Sequence, residues 1–398
     1  MAALTSLLQG VRAGDLRRAN GRVVLENLIS SGAATVPELA RRTALSKPTV
    51  ASALRALQNA GLVEERGLRS GQSGQAPVVW GIDNSAGAVL SVDVGTQWVR
   101  LALTGLDGTR AATWRERPAS PSADGVLAAL DAGLEHVVEE AGLRPGTIAF
   151  TVVGSPGVVR PESGVLEHAS NLPGWGDART LDALRARFGS GLLVMKDVYL
   201  AALGEARARR DAGQGDFVLF SIGRGVGAAV VRDGQPLSGT HGMAGEIAFL
   251  PLAATRAAGQ ENDGPSARGA FEEAASADAM LEQAARAGAR FGTVAELMEA
   301  AREGSPEAEA VVLQEGTLAA FALSAFTVAV DPPLIVLAGS VGLHGGDHFA
   351  RAVRAELQSA LPFEAPPVEV SRAGEDAILE GGAEKALQLA WEKLSSAL

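Results

Sequence analysis

Residues 36–60, VPELARRTALSKPTVASALRALQNA, carry apolar side chains at helical spacing on either side of one short break. Val36, Leu39 and Ala40, then Leu45, then Val50, Leu54 and Leu57 form this pattern, so two short helices can share one small core. Ser46 is placed to cap the second helix, with Lys47 and Pro48 in its first turn, where proline costs no backbone hydrogen bond. Lys47, Thr49, Ser52 and Arg55 are then left on the outer face, where a helix-turn-helix presents side chains to base edges and phosphates of double-stranded DNA. Ala44 stands where the turn favours glycine, and a left-handed alanine costs about 1 kcal/mol.

The segment that follows, GLVEERGLRSGQSGQAPVVWGID, extends the pattern. It predicts a strand over 62–66, a Gly/Ser-rich tip carrying Arg69 and a return strand over 77–82. Together these make a winged helix-turn-helix over 1–82, with Arg69 placed to touch the phosphate backbone or the minor groove. Charge agrees: residues 1–80 hold ten Lys/Arg against five Asp/Glu, so of the chain's net −11 the rest carries −16. A basic head on an acidic body is the distribution expected when only the head meets DNA.

At 398 residues and 47% hydrophobic content the chain is globular and too long for a single core. The absence of cysteine excludes disulfides and thiolate metal sites. No apolar run is expected to cross a membrane, and the first residues lack the layout of a secretory signal, so a cytoplasmic protein is expected.

Beyond the wing the rhythm changes to strands. GAVLSVDVGTQWVRLALTGLDGTRAATWRER predicts strands over 89–94, 98–104 and 110–115, followed by a helix over 124–141 and a buried strand over 147–153. A second copy of the rhythm starts near Asp216, where FVLFSIGRGVGAAVVRDGQPL again gives strand, glycine turn, strand and Asp-Gly turn. An apolar strand over 334–337 runs into AGSVG. The repetition suggests two duplicated lobes facing a cleft.

In this order and spacing, SVDVGTQ at Asp93, VVGSPGVV at Gly154, HASNLPGW at Asn171, KDVYLAALGE at Asp197, the glycine-rich run from Ser221 to Ile247 and LAGSVG at Gly339 resemble the ROK family of bacterial sugar kinases and sugar-responsive repressors. The winged helix belongs to the family's repressors and is absent from its kinases. The resemblance implies an α/β fold: an N-terminal winged helix-turn-helix followed by a two-lobed, actin-like (sugar kinase/Hsp70/actin) ROK body. Its domains are expected over 1–82, over 83–205 as a first lobe joined by a C-terminal helix at 376–398, and over 206–375 as a second lobe with the dimerisation surface. It further implies a repressor of carbohydrate-related genes that acts as a homodimer, or as a tetramer formed by two dimers, on a DNA operator under control of a sugar or sugar derivative. Two alternatives stand beside it: a regulator with a degenerate pocket that senses no sugar, and an active ATP-dependent sugar kinase.

For the pocket the resemblance nominates Asn171, Lys196, Asp197, Glu246 and Glu272. Carboxylates and amides are the natural recognisers of sugar hydroxyls. Asp197 occupies the position of the kinase general base, here vestigial, so no catalytic residue is expected. The family has Asn where this chain has Lys196, and that lysine either neutralises neighbouring acids or receives an anionic ligand. Asp93-Val94-Gly95-Thr96-Gln97 and Gly223-Arg224-Gly225 depart from the family's phosphate turns, whose glycines let backbone amides approach an anion. The structural zinc site is lost: its histidine position is Phe249 and its cysteine positions are Asp263, Pro265 and Ala270. Neither metal nor cofactor is expected. The loop 253–269 is expected to be mobile without metal. The run Arg207–Arg210 reads as a solvated helix face, and Trp175 of NLPGW as a pocket-lining candidate.

Overall fold

The structure is a computed structural model that describes residues 13–69, 76–143, 146–160, 165–167, 169, 172–252 and 268–397. The loop expected to be mobile lies, but for its last two residues, outside this set, as do the wing tip 70–75 and Asn171.

Three helices and a small sheet build the head: α1 (Ala13–Ser31), α2 (Val36–Thr43) and α3 (Lys47–Asn59), with β1 (Ala34–Thr35), β2 (Val63–Leu68) and β3 (Val78–Ile82) in the order β1-β3-β2. At the start of α2, Thr35 donates from both its amide and its hydroxyl to Glu38, each at 2.9 Å. Ser46 caps α3 by accepting from the Thr49 amide at 3.3 Å. Between the helices Ala44 adopts φ 58°, ψ 16°, the left-handed conformation expected of it. Ala44→Gly is therefore expected to raise the unfolding free energy by about 1 kcal/mol, measured by urea denaturation; a loss of stability would mean the turn's strain is relieved elsewhere. Strand β2 runs two residues past its expected end because Gly67, at φ 107°, allows a bulge between Glu65 and Leu68.

The body holds two five-stranded sheets. The first combines β4 (Ala88–Val94), β5 (Val99–Gly105), β6 (Arg110–Glu116), β7 (Ile148–Ser155) and β10 (Leu192–Lys196) in the order β6-β5-β4-β7-β10. A small hairpin of β8 (Val158–Val159) and β9 (Leu166–Glu167) lies apart. The second sheet combines β11 (Phe217–Ile222), β12 (Val226–Arg232), β13 (Gln235–Pro236), β14 (Ile335–Ala338) and β15 (Val368–Val370) in the order β13-β12-β11-β14-β15. In each, the first three strands form an antiparallel meander and the last two lie parallel to the first. The glycine-turn rhythm seen twice in the sequence is thus one topology used twice. Helices α4 (Ala123–Glu140) and α5 (Ala178–Phe188) make the crossovers of the first sheet. The second is served by α7 (Ala270–Ala274), α8 (Ala277–Arg286), α9 (Val294–Arg302), α10 (Pro306–Val330) and α11 (Gly339–Ala360).

Helix α6 (Asp197–Arg209) and the C-terminal helix α12 (Ala377–Ala397) pack against each other, and α12 also covers β4 and β7. They meet backbone to backbone: a Cβ on Gly381 would lie 1.8 Å from the Leu200 carbonyl oxygen, and one on Gly204 2.1 Å from that of Ala377. Within the arginine run Arg207 and Arg210 stay at the surface, as expected of a solvated face, and Arg209 does not. Arg209 is fully buried against Glu205, while Arg207 pairs with Glu380 at 3.1 Å and Arg210 with Glu384 at 2.5 Å. The two acids of α12, one turn apart, thus serve the surface arginines, whereas Arg209 turns inward to Glu205 and Glu369.

The head is not tethered by a bare linker. One cluster of buried apolar side chains runs from Leu25, Leu28 and Leu54 through Ile82 and Leu106 to Leu387 and Trp391 of α12. Arg66 reinforces the join, donating to the Ile82 carbonyl at 2.7 Å and pairing with Asp107, of the β5–β6 turn, at 3.0 Å. Among the described residues, α10 is long and apolar enough to cross a membrane, contrary to the expectation that no segment would be. Its apolar character has a local cause, since one face packs against α8, α9 and α11 in the core of the second lobe.

Candidate functional site

Strand β10 runs parallel to β7 and ends at Lys196, and α6 begins at once with Asp197, so both side chains emerge at the carboxyl end of the sheet, where open α/β sheets form their crevices. From the second lobe, Glu246 enters on the turn before Ile247–Phe249, and Glu272 in the first turn of α7. The four meet around a cavity of about 270 Å³, which Arg224 and Arg268 also line. Of the nominated set only Asn171 is not placed, because it lies outside the described residues.

The charges in this cavity are largely paired. Lys196 Nζ lies 2.6 Å from Glu246 Oε1, an ion pair spanning from the first lobe to the second, and Lys196 is only 6% exposed. Glu272 accepts from the Val226 amide at 3.1 Å and from Arg268 Nε at 3.3 Å. Arg268 also donates to the Arg224 carbonyl at 3.2 Å. Asp197, deep in the cleft, accepts from the Val198 amide at 2.6 Å. Its carboxyl is pushed up to about 7 by burial, an effect that the neighbouring Lys196 ammonium only partly offsets.

Two further cavities, about 510 and 640 Å³, continue the cleft past Arg224. Arg224 crosses it, reaching Thr96 Oγ1 at 3.4 Å on the first lobe and Asp278 at 3.3 Å on the second. Asp93 is held by Arg100 through contacts of 2.6 and 2.7 Å, and a carboxylate so engaged is poorly placed to hold a cation. The guanidinium carbons of Arg115 and Arg117 lie over the Trp98 ring, 4.1 and 4.7 Å from its centroid. Gly339 opens α11 at φ 74°, and a Cβ there would lie 2.3 Å from the Ile222 carbonyl oxygen. The helix start is thereby pressed against the end of β11 at the cleft wall.

Several sequence expectations need revision. Trp175 does not line the pocket: it is fully buried and donates to Ser155 Oγ at 2.8 Å. Of the former zinc positions, Phe249 is exposed and Ala270 begins α7, while Asp263 and Pro265 lie outside the described residues. Arg100 and Arg268 were missed, although both were legible. The hairpin register sets Arg100 directly opposite Asp93, and Arg268 precedes Glu272 by one helical turn.

In the head, Lys47, Ser52 and Arg55 are exposed along α3, and Thr49 is half-buried with its hydroxyl 2.8 Å from that of Ser46. Arg41 and Arg42, exposed in the last turn of α2, extend the basic face. Arg69 closes the wing through its amide, which donates to the Pro77 carbonyl at 3.0 Å, and its guanidinium pairs with Glu38. Glu38 lies below the usual carboxylate range because the Thr35 amide and hydroxyl, and then Arg69, favour its charged form.

The sequence profile of the ROK family matches residues 89–388, and that of the MarR family matches residues 23–72. A putative xylose repressor of Caldicellulosiruptor sp. is 25% identical over 243 residues, 60% of this chain and 59% of that protein. The glucokinase of Halalkalibacterium halodurans is 29% identical over 247 residues, 58% of this chain and 73% of that protein. The chain therefore spans about three fifths of the length of the repressors it matches, such as the xylose repressor of Caldicellulosiruptor bescii, of which 59% is covered. Among solved structures, a ROK family transcriptional regulator described as a homolog of the E. coli MLC protein superposes with a TM-score of 0.73 at 21% identity, covering 96% of this chain and 98% of that one. A Streptomyces griseus ROK glucokinase solved with glucose and AMPPNP gives 0.64 at 22% identity, covering 76% and 100%. These two establish likeness of fold.

Proposed function

The chain belongs to the ROK family, and on that premise we propose that it is a DNA-binding transcriptional repressor of carbohydrate-related genes, governed by a sugar or sugar derivative in the interlobe cleft. The observation that carries this reading is the mounting of the head. A winged helix with Lys47, Ser52 and Arg55 exposed on α3 shares one apolar core with α12, and α12 packs on α6, which begins in the cavity at Asp197. A ligand that changes the relation of the lobes can thereby bias the head, by the 1–3 kcal/mol or so that couples sites in such systems. The repressor names among its relatives support the same reading.

The functional unit is a cytoplasmic homodimer, because one winged helix reads one half-site and a two-fold operator needs two. Lys47, Thr49, Ser52, Arg55 and Arg69 form the DNA face, and Lys196, Asp197, Glu246 and Glu272 the ligand face. The body is not an active kinase: Asp93 is engaged by Arg100, and Arg224 occupies the second glycine turn. A coupled ATPase assay across neutral hexoses is expected to show no turnover, and turnover abolished by Asp197→Asn would restore the kinase alternative.

The direct test is gel-shift titration of the full chain on its own genomic binding fragments, found by mapping bound DNA. Lys47→Ala and Arg55→Ala are each expected to weaken specific binding about tenfold, with the oligomeric state unchanged in sizing experiments. Unaltered affinity in both variants would show that α3 is not the recognition helix.

A further inference from the structure

We propose that Glu38 is a positioning residue of the DNA face: it holds the Arg69 guanidinium at the base of the wing by one edge and so presents the opposite edge to a phosphate. The proposal rests on the regulator reading for the presence of DNA, and its test tells the two apart.

Each oxygen of Glu38 has its own task. Oε2 accepts from the amide and the hydroxyl of Thr35, both at 2.9 Å, which closes the first turn of α2 around its third residue. Oε1 is left for Arg69, whose Nη1 donates to it. The carboxylate is thereby fixed by its own helix, and Arg69, 31 residues on, is brought to it by the hairpin of β2 and β3. The Arg69 backbone is held as well, its amide donating to the Pro77 carbonyl at 3.0 Å. A guanidinium carries five donors in a rigid plane. No described residue accepts from Nε or Nη2 of Arg69, and the side chain is 48% exposed. A phosphate accepts from such an edge through two bonds at once.

Glu38 is also a negative charge on a face that meets a polyanion. Acting through its charge alone, it would oppose DNA, and neutralising it would tighten binding. Acting as the support of Arg69, it spares the arginine the loss of side-chain freedom on binding, and neutralising it weakens binding. The two roles thus predict opposite signs. Glu38→Gln separates them, because glutamine at this position of a capping box still accepts from Thr35 and keeps the helix start. Its other end is then an NH2 group, a donor facing the donors of Arg69, so the hold on the guanidinium is lost.

The test is fluorescence-anisotropy titration of the full chain on its own genomic binding fragments, with the wild type, Glu38→Gln, Arg69→Ala and the double variant compared over a range of salt. Glu38→Gln is expected to weaken specific binding by about three- to tenfold, the range set by the ordering of one long side chain. Arg69→Ala should cost at least as much and lower the salt slope by about one. The double variant should bind no more weakly than Arg69→Ala alone, since a support without its arginine has nothing to hold. Unchanged or tighter binding by Glu38→Gln, or losses that add in the double variant, would overturn the proposal. Arg69→Lys gives a second reading that leaves the helix start untouched: an ammonium keeps the charge without the two-edged plane, and wild-type affinity in this variant would overturn the proposal as well. Absence of specific binding by the wild type would refute the regulator reading and this proposal with it, whereas specific binding indifferent to Glu38→Gln refutes the proposal alone.

Discussion

Replacing Arg209 by methionine is expected to lower the unfolding free energy by about 3–5 kcal/mol. Arg209 and Glu205 are both wholly buried and in contact at 2.5 Å. Arg209 also reaches Glu369 at 2.8 Å and Gln214 Oε1 at 3.0 Å. Glu205 accepts from Ser371 Oγ at 2.6 Å and from the amides of Arg372 and Ala373 at 3.1 and 3.0 Å. Methionine would fill the space of the arginine stem but leave a carboxylate without its cation in a place water cannot reach. The same carboxylate fixes the turn from β15 into α12, so the damage should extend to the join between the lobes. Urea denaturation at neutral pH measures the loss. A cost below 1 kcal/mol or so would mean that the hydrogen bonds to residues 371–373 sustain Glu205 by themselves.

Replacing Glu315 by methionine should act in the opposite direction, raising stability by about 4 kcal/mol at pH 8. Glu315 lies within α10, 1% exposed, and neither oxygen has a partner among the described residues. Burial pushes its carboxyl up to about 8 from an ordinary value of 4.5. Because the folded value lies above the unfolded one, folding retains a proton that the unfolded chain releases. The associated stability is full below about pH 4.5 and is lost as the pH rises towards 8. Methionine, close in volume and without charge, removes that loss. Denaturation at pH 5 and pH 8 distinguishes this cause from better packing: the gain should be several times larger at pH 8, and a gain independent of pH would show that titration of Glu315 is not its source.

Features set by neighbours along the chain are legible in the sequence. The capping serine of α3, the left-handed Ala44 and the twice-used glycine-turn meander are set by residues within a few positions of one another, and the structure places each as its residues require. The surroundings of a side chain that are supplied from elsewhere in the chain are not legible in this way. The burial of Arg209 is one such case: Glu205, one turn earlier, would pair with it equally on a solvated face, and Glu369, which helps to enclose it, is 160 residues away. Trp175 looked like a pocket wall because the loop sequence does not reveal that Ser155, at the end of β7, accepts its indole hydrogen.

A basic winged helix ahead of a duplicated α/β body, and a lysine beside an aspartate where β10 turns into α6, are legible along the chain. Hydrophobic period, turn chemistry and charge sign decide these, and all act at short range along the chain. Packing alone brings Lys196 against Glu246 of the opposite lobe, carries Arg224 across the cleft and joins the core of the head to the last helix. Sequence periodicity tells which face of an element is buried. It does not tell which two faces meet, and the strength of a buried charge depends on that meeting.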